Sequence, residues 1–181
     1  LVGDRLWAWL NGDIIKDYRE INGELFHFAA MIHLIKGEFN ELSGPIGEIF
    51  IKSIRRGYST KLGDASMEEI SDFFSNRTPE QLKGDLNLIN GEMYEHLIEY
   101  YENADGNEWI AKLNSDRADN SGPDIIFTNI ETGEQIGVQL KLTSNPSHIE
   151  THFKKYPDTP VLTNSEMEEY FGDDPMVGFS Q

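Results

Sequence analysis

Four residues of this chain have the types for metal-assisted hydrolysis: Glu95, Asp124, Gln139 and Lys141. Two carboxylates and an amide carbonyl are oxygen donors of the kind that a hard divalent ion prefers. A lysine beside them is suited to orienting water or stabilising charge that develops on a phosphate. Each residue taken singly has a plainer explanation. A glutamate on an amphipathic helix usually faces solvent, an aspartate at the start of a strand often caps a turn, and a Gln-x-Lys on a half-exposed strand is unremarkable. The combination is more informative than its parts, provided that the chain brings the four together.

The elements that must do so follow one another over residues 91–163. In Gly91–Glu102 the residues Met93, Tyr94, Leu97, Ile98 and Tyr101 recur at helical spacing, which places Glu95 on the flank of the helix and Glu92 and Glu99 further out. Trp109–Leu113 reads as a strand, and Asn114–Gly122 as a loop of turn formers. Pro123 and Asp124 then lead into a buried strand, Ile125–Thr128. A turn at Glu131–Glu134 reverses the chain into Gln135–Thr143, where Ile136, Val138, Leu140 and Leu142 alternate with Gly137, Gln139, Lys141 and Thr143. The period of two puts Gln139 and Lys141 on one face, and a hairpin sets Asp124 beside them. Ser147 and Glu150 read as a capping box opening a further helix, which Pro157 stops before a last strand.

The string PDIIFTNIETGEQIGVQLK resembles the PD, long gap, (D/E)XK signature of the restriction-endonuclease-like nucleases. Gly91 with Glu95 is similar to the GxxxE helix opening of Holliday-junction resolvases within that superfamily. The resemblance covers about 75 residues. It implies a mixed central sheet flanked by helices and hydrolysis of phosphodiesters dependent on magnesium or manganese. Glu95, Asp124 and Gln139 would be the metal ligands and Lys141 the fourth active-site residue. DNA is the favoured substrate over RNA, and a homodimer is open because many such nucleases act as dimers. The departure is Gln139, where the family most often has glutamate or aspartate: the carbonyl is kept and a charge is lost.

The preceding residues read as helices joined by short turns. Leu25, Phe28, Ile32 and Ile35 fall on one stripe, and Ile46, Ile49, Phe50 and Ile54 on another that ends in Arg55, Arg56 and Gly57. Ser66 and Glu69 form a capping box ahead of Met67, Ile70, Phe73 and Phe74, and Thr78-Pro79 opens one more short helix. The expected class is therefore α/β (α+β): a helical region over 1–86, a nuclease-type domain over 87–165 with a mixed sheet, and an acidic, frayed tail over 166–181.

Composition narrows the alternatives. There is no cysteine, which removes disulfides and thiolate metal sites. The longest apolar run, Phe26–Ile35, is far shorter than the roughly 20 residues of a membrane span. The first residues lack the basic start and cleavage site of a signal peptide, and the chain begins without methionine, which suggests a fragment. A net charge of −17 stands against nucleic-acid binding, since binders usually show a basic face. Residues 86–181 hold 5 basic and 18 acidic side chains, so the acidity is concentrated where the site is expected. It favours an alternative reading, a catalytically silent nuclease-fold domain whose acidic surface meets a basic protein partner or inhibitor. A third reading is the C-terminal effector of a larger toxin or defence-system protein, acting in the cytoplasm whether or not its parent is secreted. Lys154 and Lys155, like Arg55, Arg56, Lys112 and Arg117, suit phosphate contacts or plain solvation. His148 and His152 have the i, i+4 spacing of a zinc pair without an evident third ligand, and Trp7 and Trp9 read as packing residues.

Overall fold

A computed structural model describes residues 23–114 and 122–180. Among them are seven α-helices and five strands, with the helices alone in the first half and a mixed sheet in the second. Trp7, Trp9 and Arg117 lie outside the described residues. The chain divides into two compact units, residues 1–93 and 94–181.

The first unit contains α1 (Gly23–Ile35), a 3-10 turn at Phe39–Leu42, α2 (Pro45–Gly57), α3 (Ser59–Leu62), α4 (Met67–Ser75) and the start of α5 (Pro79–Ala104). Its core is Phe26, Leu34, Ile46, Phe50, Ile54, Ile70, Phe74, Ile89 and Met93, all at or near zero exposure. The apolar stripe expected on α1 is rotated. Phe26, Ala30, Met31 and Leu34 face inward, while Phe28 is 58% exposed and Ile32 38%. That helix is apolar nearly all round, so spacing alone does not select the buried face. The α2 stripe is buried as expected, with Phe26 of α1 edge-on to Phe50 at 6.2 Å between ring centres. Gly57 ends α2 as its last helical residue, and Tyr58 caps it. Close approach is enforced at Gly47, where a Cβ would stand 2.0 Å from the Leu42 carbonyl oxygen.

The capping box of α4 forms in both directions: Ser66 Oγ accepts from the Glu69 amide, and the Glu69 carboxylate accepts from the Ser66 amide. The short helix expected after Thr78 is instead the first part of α5, which runs unbroken across the boundary expected between residues 86 and 87. Leu82, Ile89 and Met93 continue one apolar row through that stretch, and a single Gly84 or Gly91 costs only about 1 kcal/mol, so nothing in it stops the helix.

The second unit carries β1 (Trp109–Leu113), β2 (Ile125–Asn129), β3 (Gln135–Lys141), α6 (Ser147–Lys155), β4 (Val161–Asn164), a 3-10 turn at Ser165–Met167, α7 (Glu168–Phe171) and β5 (Val177–Ser180). The sheet order is β1-β2-β3-β4-β5; β1, β2 and β3 are antiparallel neighbours, and β3, β4 and β5 run parallel. The expected frayed tail is thus an ordered edge of the sheet, because Val177 and Phe179 supply a strand pattern that buries against Ile149 and Val161. The Ser147 capping box does not form either. Ser147 is already helical, and its amide donates to the Asn145 side chain.

Two apolar clusters sandwich the sheet. Ala111, Ile125 and Leu140 pack with Tyr94 and Ile98 of α5, and Val161 and Val177 pack with Ile149 of α6. Since Leu140 belongs to the first cluster and Val161, the register partner of Gln139, to the second, α5 and α6 cover opposite faces.

His27 is buried in the first unit with Nε2 3.0 Å from Met93 Sδ, and burial lowers its pKa to about 4. The unfolded chain therefore takes up this proton first, so the stability is whole above pH 6.5 and is lost as pH falls toward 4. The shift corresponds to about 3 kcal/mol. Urea unfolding of the parent and of His27→Leu at pH 7 and pH 4.5 is expected to show the variant losing about 2 to 3 kcal/mol less over that interval; equal losses would contradict a neutral buried His27.

Candidate functional site

Asp124 is set where it is by the main chain on both sides. Its amide donates to the Val138 carbonyl at 3.0 Å, and its carbonyl accepts from the Asn114 amide at 2.8 Å. The loop comes in through Gly122 at φ +123°, a conformation that a side chain would strain. Asn114 Nδ2 holds the Pro123 carbonyl at 3.1 Å. Pro123 rests on the strand at Gly137, where a Cβ would meet the proline ring at 2.6 Å. Glycine at this place lets the Pro-Asp pair lie directly on β3.

The carboxylate of Asp124 turns to the face expected from the alternation. Oδ2 accepts from the Leu140 amide at 2.8 Å and from the Gln139 side-chain amide. Gln139 and Lys141 flank that Leu140 amide and share the α6 side of the sheet, while Val138 and Leu140 point to α5. Asp124 is only 8% exposed. The hairpin therefore brings Asp124, Gln139 and Lys141 to one place.

Glu95 is 8% exposed on α5, the helix that covers the opposite face, so the solvated flank expected for it is not what the fold provides. Glu92 is equally buried and pairs with Arg56, Nε to Oε2 at 3.4 Å. Glu99 accepts from the Leu113 amide at 2.8 Å, and Asn103 bonds the Ala111 amide and carbonyl at 2.8 and 2.9 Å. Spaced four residues apart on α5, Glu99 and Asn103 cover the outer edge of β1, where backbone groups would otherwise be open to another strand.

His152 is a neighbour that sequence spacing offered only as half of a zinc pair. It is 6% exposed on α6, and its Nε2 lies 3.1 Å from the Thr159 carbonyl. Burial is the largest cause of its lowered pKa; the Thr159 bond and Asp124 act upward and Lys141 downward. A largely neutral imidazole thus stands within the electrostatic reach of both site charges. His148 bonds the Thr143 hydroxyl at 2.9 Å, so the two histidines are engaged separately.

The backbone at Lys141 is held from β4. The fully buried Thr163 donates from Oγ1 to the Lys141 carbonyl at 2.6 Å, and its own carbonyl accepts from Ser180 Oγ at 3.1 Å. Tyr94 OH joins the same chain at 3.0 Å from Ser180 Oγ.

The donors fit a hard divalent ion in kind, being all oxygen. Among the described residues no three His, Cys, Asp or Glu side chains gather into a metal-holding group, and a divalent ion at Asp124 would need the Gln139 carbonyl as a further donor. In the orientation shown its amide nitrogen faces Asp124; the terminal torsion is broad and two-fold, so a half-turn presents the oxygen at the cost of that hydrogen bond.

Gly137→Ala is expected to destabilise by about 1–3 kcal/mol through overpacking against Pro123 and to speed hydrogen exchange at the Leu140 amide. Unchanged exchange would contradict the placement of Asp124 by this contact. No family model, no curated protein and no solved structure matches this chain.

Proposed function

We propose that the chain is a metal-dependent nuclease of the PD-(D/E)XK type, with Asp124, Gln139 and Lys141 as its active site and DNA as the favoured substrate. The observation that carries this reading is the convergence of Asp124 with Gln139 and Lys141 on one face of β2 and β3, where the carboxylate is fixed by the Leu140 amide. A mixed sheet flanked by helices on both faces, as the sequence resemblance implies, supports it further.

In this reading Asp124 and the turned carbonyl of Gln139 would hold magnesium or manganese, while Glu95, on the helix that covers the other face of the sheet, is not brought beside them. The bound ion supplies Lewis acidity at the scissile phosphate and a more acidic water. Lys141, on the same face as Gln139, orients that water or carries charge that develops on the phosphate oxygens. The Leu140 amide keeps Asp124 from turning away, so the carboxylate does not need to reorganise during reaction.

A second reading, the same domain without catalysis and binding a basic protein partner, is favoured by the net charge of −17 and by the amide nitrogen of Gln139 facing Asp124. One assay separates the two. Linear duplex, single-stranded DNA and RNA are incubated with the chain, with magnesium or manganese and with chelator. Metal-dependent cleavage is expected, reduced on the order of 100-fold or more in Asp124→Asn and Lys141→Ala with the fold retained by circular dichroism. No cleavage of any substrate would support the silent domain instead.

A further inference from the structure

The basic side chains of the acidic second unit are few: Lys112, Arg117, Lys141, Lys154 and Lys155. Arg117 lies outside the described residues, and the positions of the other four are not random with respect to Asp124. Lys112 is in register with Ile126, and Ile126 with Gly137. The neighbouring row, Leu113, Ile125 and Val138, belongs to the α5 face, so Lys112 projects from the other face, the one that carries Gln139 and Lys141.

Helix α6 lies on that same face. Ile149 and Phe153 turn inward, and His148, His152 and Lys155, at i, i+4 and i+7, make a stripe along one flank. One contact fixes which way the flank looks: His148 bonds Thr143, two residues beyond Lys141. Lys155 is exposed at the end of this stripe, its ammonium 4.9 Å from the Tyr156 ring centre. Lys154, also exposed, falls on the back of the helix, away from the sheet.

Among the described residues the sheet face between Lys112 and α6 is partly covered, with Pro123 lying over Gly137. Ile110 is 48% exposed, and Ile126 and Thr128 are only partly covered. The acidic Glu150 faces away from the stripe, at about 200° around the helix from His148. Three of the four described cations thus border a partly covered, weakly polar surface that contains Asp124, on a unit that is otherwise strongly acidic.

We propose that Lys112, Lys141 and Lys155 form a phosphate track that leads a polynucleotide along the α6 side of β1, β2 and β3 to Asp124. This rests on the nuclease reading and names its substrate-guiding residues. Cations aligned along one strip, with mainly acidic side chains elsewhere, direct a polyanion to the site and disfavour it on the rest of the surface. Lys112 and Lys141 are two strands apart, about 10 Å, and offset by four residues, about 13 Å, so their backbones stand about 16 Å apart. At about 3.4 Å per nucleotide, a strand of roughly five nucleotides or more is needed to engage both.

The test is binding without turnover. Labelled single-stranded and duplex DNA of twelve nucleotides are titrated, with chelator present, against the chain carrying Asp124→Asn, and against the same chain with Lys112→Glu, Lys155→Glu or Lys154→Glu added. Lys112→Glu and Lys155→Glu are expected to weaken binding several-fold irrespective of sequence and to lower the salt slope by about 1 each, with Lys154→Glu unchanged. Equal effects of Lys154→Glu and Lys155→Glu, or no effect of Lys112→Glu, would overturn the track. So would a failure of the Asp124→Asn chain to bind either DNA at low salt. Metal-dependent cleavage by the parent chain, measured in parallel, would in those cases leave the nuclease reading standing, while its absence would remove both.

Discussion

The candidate site depends on the pairing of β2 with β3. Asp124 is tied through its amide to the Val138 carbonyl and through its carboxylate to the Leu140 amide, so both its main chain and its side chain are held by β3. A slip of one residue in that register would turn Gln139 and Lys141 toward α5 and put Val138 and Leu140 where the polar cluster now stands. The register is secured by burial of Ile125, Leu140 and Ala111 on the α5 side, and by Pro123 seated on Gly137. Apolar burial on one face therefore fixes polar geometry on the other.

The remaining elements of the second unit serve this arrangement. Helix α5 buries Tyr94 and Ile98 against the sheet and, with Glu99 and Asn103, covers the exposed edge of β1. Helix α6 and β4 brace the end of β3, where Thr163 holds the Lys141 carbonyl and His152 adds a largely neutral, buried ring near the two charges. Strand β5 closes the parallel side and passes its Ser180 hydroxyl between Thr163 and Tyr94. The polar cluster on this strand pair is thus surrounded by groups that limit its freedom.

Much of this was legible in the chain. The strands around Asp124, the shared face of Gln139 and Lys141, and the hairpin that joins them follow from period two and from turn residues, because one face of β3 is buried and the other is not. The capping box at Ser66 formed as read, since its two hydrogen bonds are local. The misreadings have one cause in common, that the deciding contact is distant. Phe28 and Ile32 face outward because the partners of α1 lie elsewhere in the chain, and Val177 joins the sheet only through β4. Glu99 looked like a solvated helix residue because its partner is the Leu113 amide of β1. His152 gains its place beside Lys141 and Asp124 from the packing of α6 on the sheet, which no local pattern records.

The central claim is that Asp124 and Gln139 make a site for a hard divalent ion beside Lys141, and its most direct measurement is calorimetric titration of the intact chain and its Asp124→Asn variant with manganese. Saturable binding by the parent that is lost in the variant is the expected result. Binding of equal strength in the two, or none in the parent, would contradict the assignment of this polar cluster as a metal-dependent active site.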